Sequence, residues 1–71
     1  MKPIIYELKG EEYIELLKLL KLLNLVGSGG EAKMRIEDGE AIVNGEVEYR
    51  KRNKLRRGYR IEFGGQVIFI K

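Results

Sequence analysis

The stretch GSGGEAKMRIEDGEAIVNG, residues 27–45, decides the fold. It predicts one short helix that passes directly into a tight β-hairpin. Ser28 and Glu31 have the S-x-x-E spacing of a capping box. In that motif the serine hydroxyl accepts the N–H of the third helical residue, and the glutamate reaches back to the serine's own N–H. Ala32 and Ile36 fall one turn apart on the face expected to pack inward, while Lys33 and Glu37 share a different face. Gly39 stands where a left-handed residue ends a helix. Ala41-Ile42-Val43 then reads as a strand, and Asn44-Gly45 is the pair that a two-residue type I′ turn selects.

Toward the C-terminus, residues 46–49 form the return strand, with Val47 and Tyr49 expected to face inward. The run RKRNKLRRGYR, residues 50–60, follows with seven bases and no acid. Leu55 is its only aliphatic residue and is expected to anchor the loop in the core. Gly58 marks a turn before a strand over residues 59–63, where Ile61 and Phe63 alternate with Arg60 and Glu62. Gly64-Gly65 makes a second hairpin turn, and residues 66–70 close the chain as a strand. The unbroken apolar run of that last strand points to burial on both faces or to pairing inside the sheet.

Toward the N-terminus, residues 3–8 read as a first strand with Ile4, Tyr6 and Leu8 on one face, and Pro3 suits an edge strand. Gly10, Glu11 and Glu12 are expected to open a helix over residues 11–23, because acids in a first turn complement the helix dipole. At about 100° per residue, Tyr13, Leu16, Leu17, Leu20 and Leu23 form its apolar face. Glu11, Glu15 and Lys18 lie opposite, and Leu19 and Leu22 fall among them. Those two read either as isolated exposed leucines or as a face for weak self-association or a partner helix. Asn24 is expected to close the helix in the left-handed region, with Leu25 and Val26 folding back onto it. The order β-α-α-β-β-β-β predicts an α+β fold, two helices packed on a small, mostly antiparallel sheet.

Composition sets the outer bounds. The 71 residues make one domain over residues 1–71. Such a chain buries roughly 60% of its unfolded surface, and its expected stability is only about 3–5 kcal/mol. There is no cysteine, so neither a disulfide nor a thiolate metal site is available. Histidine, the commonest general base and metal ligand, is also missing. No signal peptide is visible and no apolar run approaches the ~20 residues of a membrane span, so a cytoplasmic location away from membranes is expected. Net charge is +3, unevenly spread. Six bases face eight acids before Ala41, whereas eight bases face three acids from Ala41 onward. A polyanionic partner met by the second half follows from that asymmetry.

The basic run is the strongest functional feature. If the chain stays extended after Tyr49, Arg50, Arg52 and Lys54 line one side, opposite Val47, Tyr49 and Leu55. A row of cations suits successive phosphates, each of which releases counterions when neutralised; a solvated loop that only keeps the domain soluble is the competing reading. Gly29 and Gly30 cost about 1 kcal/mol each in helix propensity. They would leave bare N–H groups at the helix start for a phosphate, with Lys33 and Arg35 extending the site. A flexible entry turn is the alternative. No Walker-type or dinucleotide-binding spacing follows these glycines. Glu11 and Glu15 share a polar face without a cleft, and no His or Cys is present to activate Ser28. Neither an enzyme nor a cofactor is expected.

The run SGGEAKMRIEDGEAIVNGEV, continuing into EYRKRNKLRRG, resembles the RNA-binding module named after ribosomal protein S-four, also called the alpha-L motif. It is most similar to the small stand-alone bacterial members of that family. The resemblance covers residues 13–63. Its most specific parts are Ser28 with Glu31-Ala32-Lys33, then Val43-Asn44-Gly45, and the basic run with Leu55 and Gly58. It implies a ribosome-associated, non-catalytic RNA-binding domain whose second helix and basic loop form the contact surface. Carried over by position, Lys33, Arg35, Arg50, Arg52 and Lys54 are implicated. Gly29, Gly30, Lys51, Arg56 and Arg57 complete the candidate set. Gly29 stands where many members have arginine, as it tends to in the small stand-alone ones, and Tyr59 stands where an aspartate is usual. The implied partner is structured RNA, ribosomal or transfer-RNA-like, read by shape and phosphates, with the protein a monomer. Tyr49 and Tyr59 are candidates for stacking on an unpaired base, with core packing favoured for Tyr49. Two rival readings remain at this level. One is a module docking an acidic partner on the basic rim or a helix through Leu19 and Leu22. The other is an engineered scaffold without a native ligand, for which the charged, leucine-rich first helix would be as apt as for a thermophilic source.

Overall fold

Leu16, Leu19, Leu20, Ala32 and Ile36 have no accessible surface, and around them two helices meet a sheet. The computed structural model describes residues 2–71. The elements are β1 (Ile4–Tyr6), β2 (Ile14–Glu15), α1 (Leu16–Leu22), α2 (Gly29–Glu37), β3 (Ala41–Val43), β4 (Glu46–Val47), β5 (Lys54–Leu55), β6 (Arg60–Phe63) and β7 (Gln66–Ile70). The main sheet has five strands in the order β1-β7-β6-β3-β4, and β2 and β5 form a separate two-stranded ribbon. Among the described residues only β1 and β7 pair in parallel; the other pairs are antiparallel. Ala41, Val43, Ile61, Phe63, Ile68 and Ile70 turn into the core from the sheet. The α+β arrangement is the one expected, with the β2–β5 ribbon added.

The central helix and hairpin form as their residues dictate. Ser28 Oγ accepts the Glu31 N–H at 3.1 Å. The reciprocal half of the cap differs from expectation: Glu31 Oε1 accepts from Gly27 N–H at 2.8 Å, not from Ser28. Ser28 is extended (φ −159°, ψ 167°), and the donor facing the carboxylate is the preceding one. At the other end Gly39 has φ +83°. Its N–H donates to Ile36 O at 3.0 Å and Glu40 N–H donates to Arg35 O at 3.1 Å, the paired bonds of a Schellman end. Asn44 (φ 52°) and Gly45 (φ 87°) make the type I′ turn. Asn44 then ties the two hairpins together, since its N–H donates to Arg60 O at 2.8 Å and its Oδ1 accepts from Arg60 N–H at 2.9 Å. Asn24 (φ 57°) ends α1, and Leu25 N–H donates back to Leu20 O at 3.0 Å. Strand β7 lies between β1 and β6, so its apolar run reflects pairing inside the sheet, and Phe69 still exposes 39% of its surface.

Two further expectations are corrected. The first helix does not span residues 11–23. Lys9 (φ 51°) and Gly10 (φ 90°) form a turn, Ile14–Glu15 is a strand, and α1 has no acid in its first turn. With Tyr13 outside the helix, the apolar stripe recentres on Leu16, Leu19 and Leu20, an i, i+3, i+4 set. Leu19 is therefore fully buried while Leu22 exposes 53%, and the proposed self-association face through both residues does not exist. The second correction concerns Val47 and Tyr49, which point outward with 45% and 61% exposure. The two-residue turn makes Val43 and Glu46 the closing pair, so Val47 shares the outer face with its partner Ile42. Both side chains cover Gly39 from outside, where a Cβ would lie 3.4–3.6 Å from their atoms.

Two stability measurements check this packing. Ser28→Ala should cost about 1 kcal/mol in urea unfolding; an unchanged midpoint would contradict the cap. Leu19→Ala should cost about 2–5 kcal/mol, enough to leave the domain largely unfolded. Leu22→Lys should stay within about 0.5 kcal/mol of the parent.

Candidate nucleic-acid interface

Helix α1 begins without a side-chain cap at Glu15. Its first free donors are satisfied from a distant part of the chain: Leu16 N–H donates to Asn53 O at 3.0 Å and Leu17 N–H to Lys51 O at 2.9 Å. Those acceptors belong to the basic loop. The ribbon pairs Ile14 with Leu55 and Glu15 with Lys54, and Leu55 is fully buried as expected. The loop's backbone is thus fixed to the helix start, while its cations are left at the surface.

Arg50, Arg52 and Lys54 are exposed and alternate with the half-buried Lys51 and Asn53. The chain does not run straight through them, because Asn53 N–H donates to Arg50 O at 3.1 Å and closes a turn over Lys51 and Arg52. The three cations come together all the same, lining one shallow depression with Asn53. Arg56 and Arg57 are exposed beside a second depression shared with Leu8, Glu11 and Glu12. The Tyr13 ring joins the two groups. Lys54 Nζ lies 5.0 Å from its centroid and the Arg56 guanidinium carbon 5.7 Å, both within cation–π range.

On α2, Gly29 and Gly30 occupy the first turn, outside the intrahelical ladder. The Glu31 carboxylate already sits at this helix end, and a Cβ at Gly29 would lie 3.9 Å from Lys21 Nζ. Lys33 is exposed. Arg35 differs from the other candidates, since it pairs with Glu40 at 2.9 Å and Glu31 at 3.4 Å and lies 4.4 Å over the Phe63 ring. Hydrogen bonding to Glu40, with smaller help from Glu31, holds its guanidinium pKa above the ordinary value. It is a strut between α2 and β6. Arg50 has one carboxylate partner, Glu48, whose hydrogen bond likewise raises its pKa. Among the described residues no cluster of side chains suits a metal ion, and no helix is long and apolar enough to cross a membrane.

The sequence profile of the S4 domain matches residues 6–71. The chain belongs to the S4 domain family. The YbcJ protein of Escherichia coli (strain K12), named as a candidate RNA-binding protein, is 38% identical over 65 residues, spanning 92% of this chain and 93% of that protein. YbcJ of Shigella flexneri, uncharacterized by name, matches to the same extent. The solution structure of Escherichia coli YbcJ superimposes with a TM-score of 0.74 at 34% identity, covering 99% of this chain and 89% of that one. It is described as having an alfaL motif involved in RNA-binding. This S4 domain therefore has the alpha-L arrangement that its sequence resembles.

Tyr13, Lys21 and Glu48 escaped the sequence reading as members of this surface. Glu48 could have been found from its i, i+2 spacing to Arg50, but Tyr13 meets its cations only through the β2–β5 ribbon.

The loop's attachment to α1 is open to hydrogen exchange. Leu55→Ala should cost about 2–5 kcal/mol. In a population that remains folded, exchange should accelerate first at the Leu16 and Leu17 amides; unchanged protection there would contradict the capping role of the loop.

Proposed function

We propose that this S4 domain is a non-catalytic RNA-binding domain that contacts structured RNA through the basic loop and α2. The observation that carries this reading is the depression where Arg50, Arg52 and Lys54 meet on a backbone already fixed by hydrogen bonds to α1. A loop ordered before binding avoids much of the entropic cost of ordering on contact. Arg56, Arg57 and the half-buried Lys51 widen the positive surface. Gly29, Gly30 and Lys33 supply the α2 side, with Lys21 beside them. Arg35 contributes by holding α2 in place. Folded RNA is read largely by shape, phosphates and 2′-hydroxyls, which suits cations spread over a fixed surface. Support also comes from YbcJ, named and described for RNA binding. The class of partner is ribosomal or transfer-RNA-like, met in the cytoplasm by a monomer.

Replacing Arg50, Arg52 and Lys54 with glutamate should abolish RNA binding and leave the fold intact, because all three side chains face solvent. Reversing Lys2, Lys9 and Lys18, also exposed but in the first half, should change affinity much less. The parent's affinity should fall linearly with salt on logarithmic axes, with a slope of about −4 to −5 for roughly four to six phosphate contacts. Equal losses in the two triple variants would reduce the interaction to net charge and refute the proposed surface.

A further inference from the structure

Three of the arginines near the loop and sheet are held by carboxylates, and they are held differently. Arg35 is enclosed by two glutamates and Phe63. Arg60 pairs with Glu62 at 2.9 Å along β6. Arg50 pairs with Glu48, and that pair is lopsided: the glutamate side chain keeps only 12% of its surface, whereas the arginine keeps 77%. The Glu48 backbone is fixed as well, its N–H donating at 2.9 Å to the carbonyl of Ala41, a fully buried residue of β3. Glu48 is a post and Arg50 an arm attached to it.

The attachment uses one edge of the guanidinium. Arg50 Nε donates to Glu48 Oε1 at 3.0 Å and more weakly to Oε2 at 3.3 Å, and Nη2 lies 2.9 Å from Oε1. The opposite edge, formed by Nη1 and the outer hydrogen of Nη2, stays available. A guanidinium presents its donors in a rigid fork that matches two oxygens of one phosphate. Among the described residues, Arg52, Arg56 and Arg57 have no carboxylate within salt-bridge distance, so Arg50 is the loop arginine that a carboxylate orients in advance.

We infer that Glu48 is a positioning residue for RNA binding: it grips Arg50 by one edge so that the other edge meets a phosphate. The inference rests on the RNA-binding reading of the loop. Its sign sets it apart from bulk electrostatics. Removing an acid from beside a polyanion site should strengthen binding by Coulomb's law. Removing the post that orients a phosphate-binding arginine should weaken it.

The test is filter binding of unfractionated transfer RNA and of ribosomal RNA to the parent and to Glu48→Ala, Glu48→Gln, Arg50→Ala and the double alanine variant. Glu46→Ala, at an exposed acid two residues away, is the charge control. Glu48→Ala should bind about three- to tenfold more weakly, the worth of one ordered charge-assisted contact. Its salt slope should be shallower by about one unit, as for Arg50→Ala. Glu48→Gln keeps the size and one acceptor oxygen, so it should recover part of the loss and serves should the alanine variant fold poorly. The double variant should be no weaker than Arg50→Ala, and Glu46→Ala should bind as well as the parent or better. A folded Glu48→Ala protein that binds as tightly as the parent or tighter overturns the inference while leaving the RNA-binding reading standing. A parent that binds neither RNA overturns both.

Discussion

Two backbone hydrogen bonds, from Leu16 and Leu17 N–H to the carbonyls of Asn53 and Lys51, hold the architecture and the candidate surface together. Helix α1 has only seven residues and no capping side chain, so its first turn depends on acceptors from elsewhere. The loop that supplies them is dense in cations that repel one another and would favour an extended chain. Each side solves the other's difficulty. The helix start gains carbonyls, and the loop gains a fixed backbone from which its side chains can project. Burial of Leu55 and the β2–β5 ribbon reinforce the same junction.

The cations on this framework divide into two kinds. Arg35 and Arg60 are engaged with carboxylates along the helix and sheet, where their charges are compensated locally. Arg52 and Arg57 project from the loop, Arg56 lies over the Tyr13 ring, and Arg50 is tethered at one edge only. Surface ion pairs contribute little to stability, commonly under about 1 kcal/mol. Their more important effect here is on direction, since they decide which guanidinium groups are already turned and which must search.

What could be read from the sequence was what neighbouring residues determine among themselves. Ser28, Gly39, Asn44-Gly45 and Gly64-Gly65 announce their roles because caps and tight turns depend on a few consecutive residues. Ile61 and Phe63 follow from strand alternation. The start of α1 was misplaced because Ile14 and Glu15 pair with Lys54 and Leu55, a contact invisible to any local window. Leu19 falls on the wrong side for the same reason, because a helix begun at residue 11 centres its apolar face away from Leu19. Val47 and Tyr49 show a different failure. Alternation alone does not fix which pair closes the Asn44-Gly45 turn, and a one-residue error in parity exchanges the two faces of a strand. On the surface, the basic residues were identifiable by type. Which of them would be tied down depended on Glu40, Phe63 and Tyr13 arriving from separate elements.

The parallel pairing of β1 with β7 has a consequence for how the molecule comes into being. Residues 4–6 lie against residues 68–70, with β6 on the other flank of β7, and Lys71 N–H donates to Tyr6 O at 2.8 Å. On a ribosome the first strand therefore emerges long before β7, the strand it pairs with. Until residues 66–70 clear the exit tunnel, the sheet is split, with β1 unpaired and the apolar faces of β6 and α1 incompletely covered. Closing so long a loop is slow compared with forming a hairpin. The local bonds of α2 and of the β3–β4 hairpin lie within consecutive residues, but the finished domain must wait for its last strand.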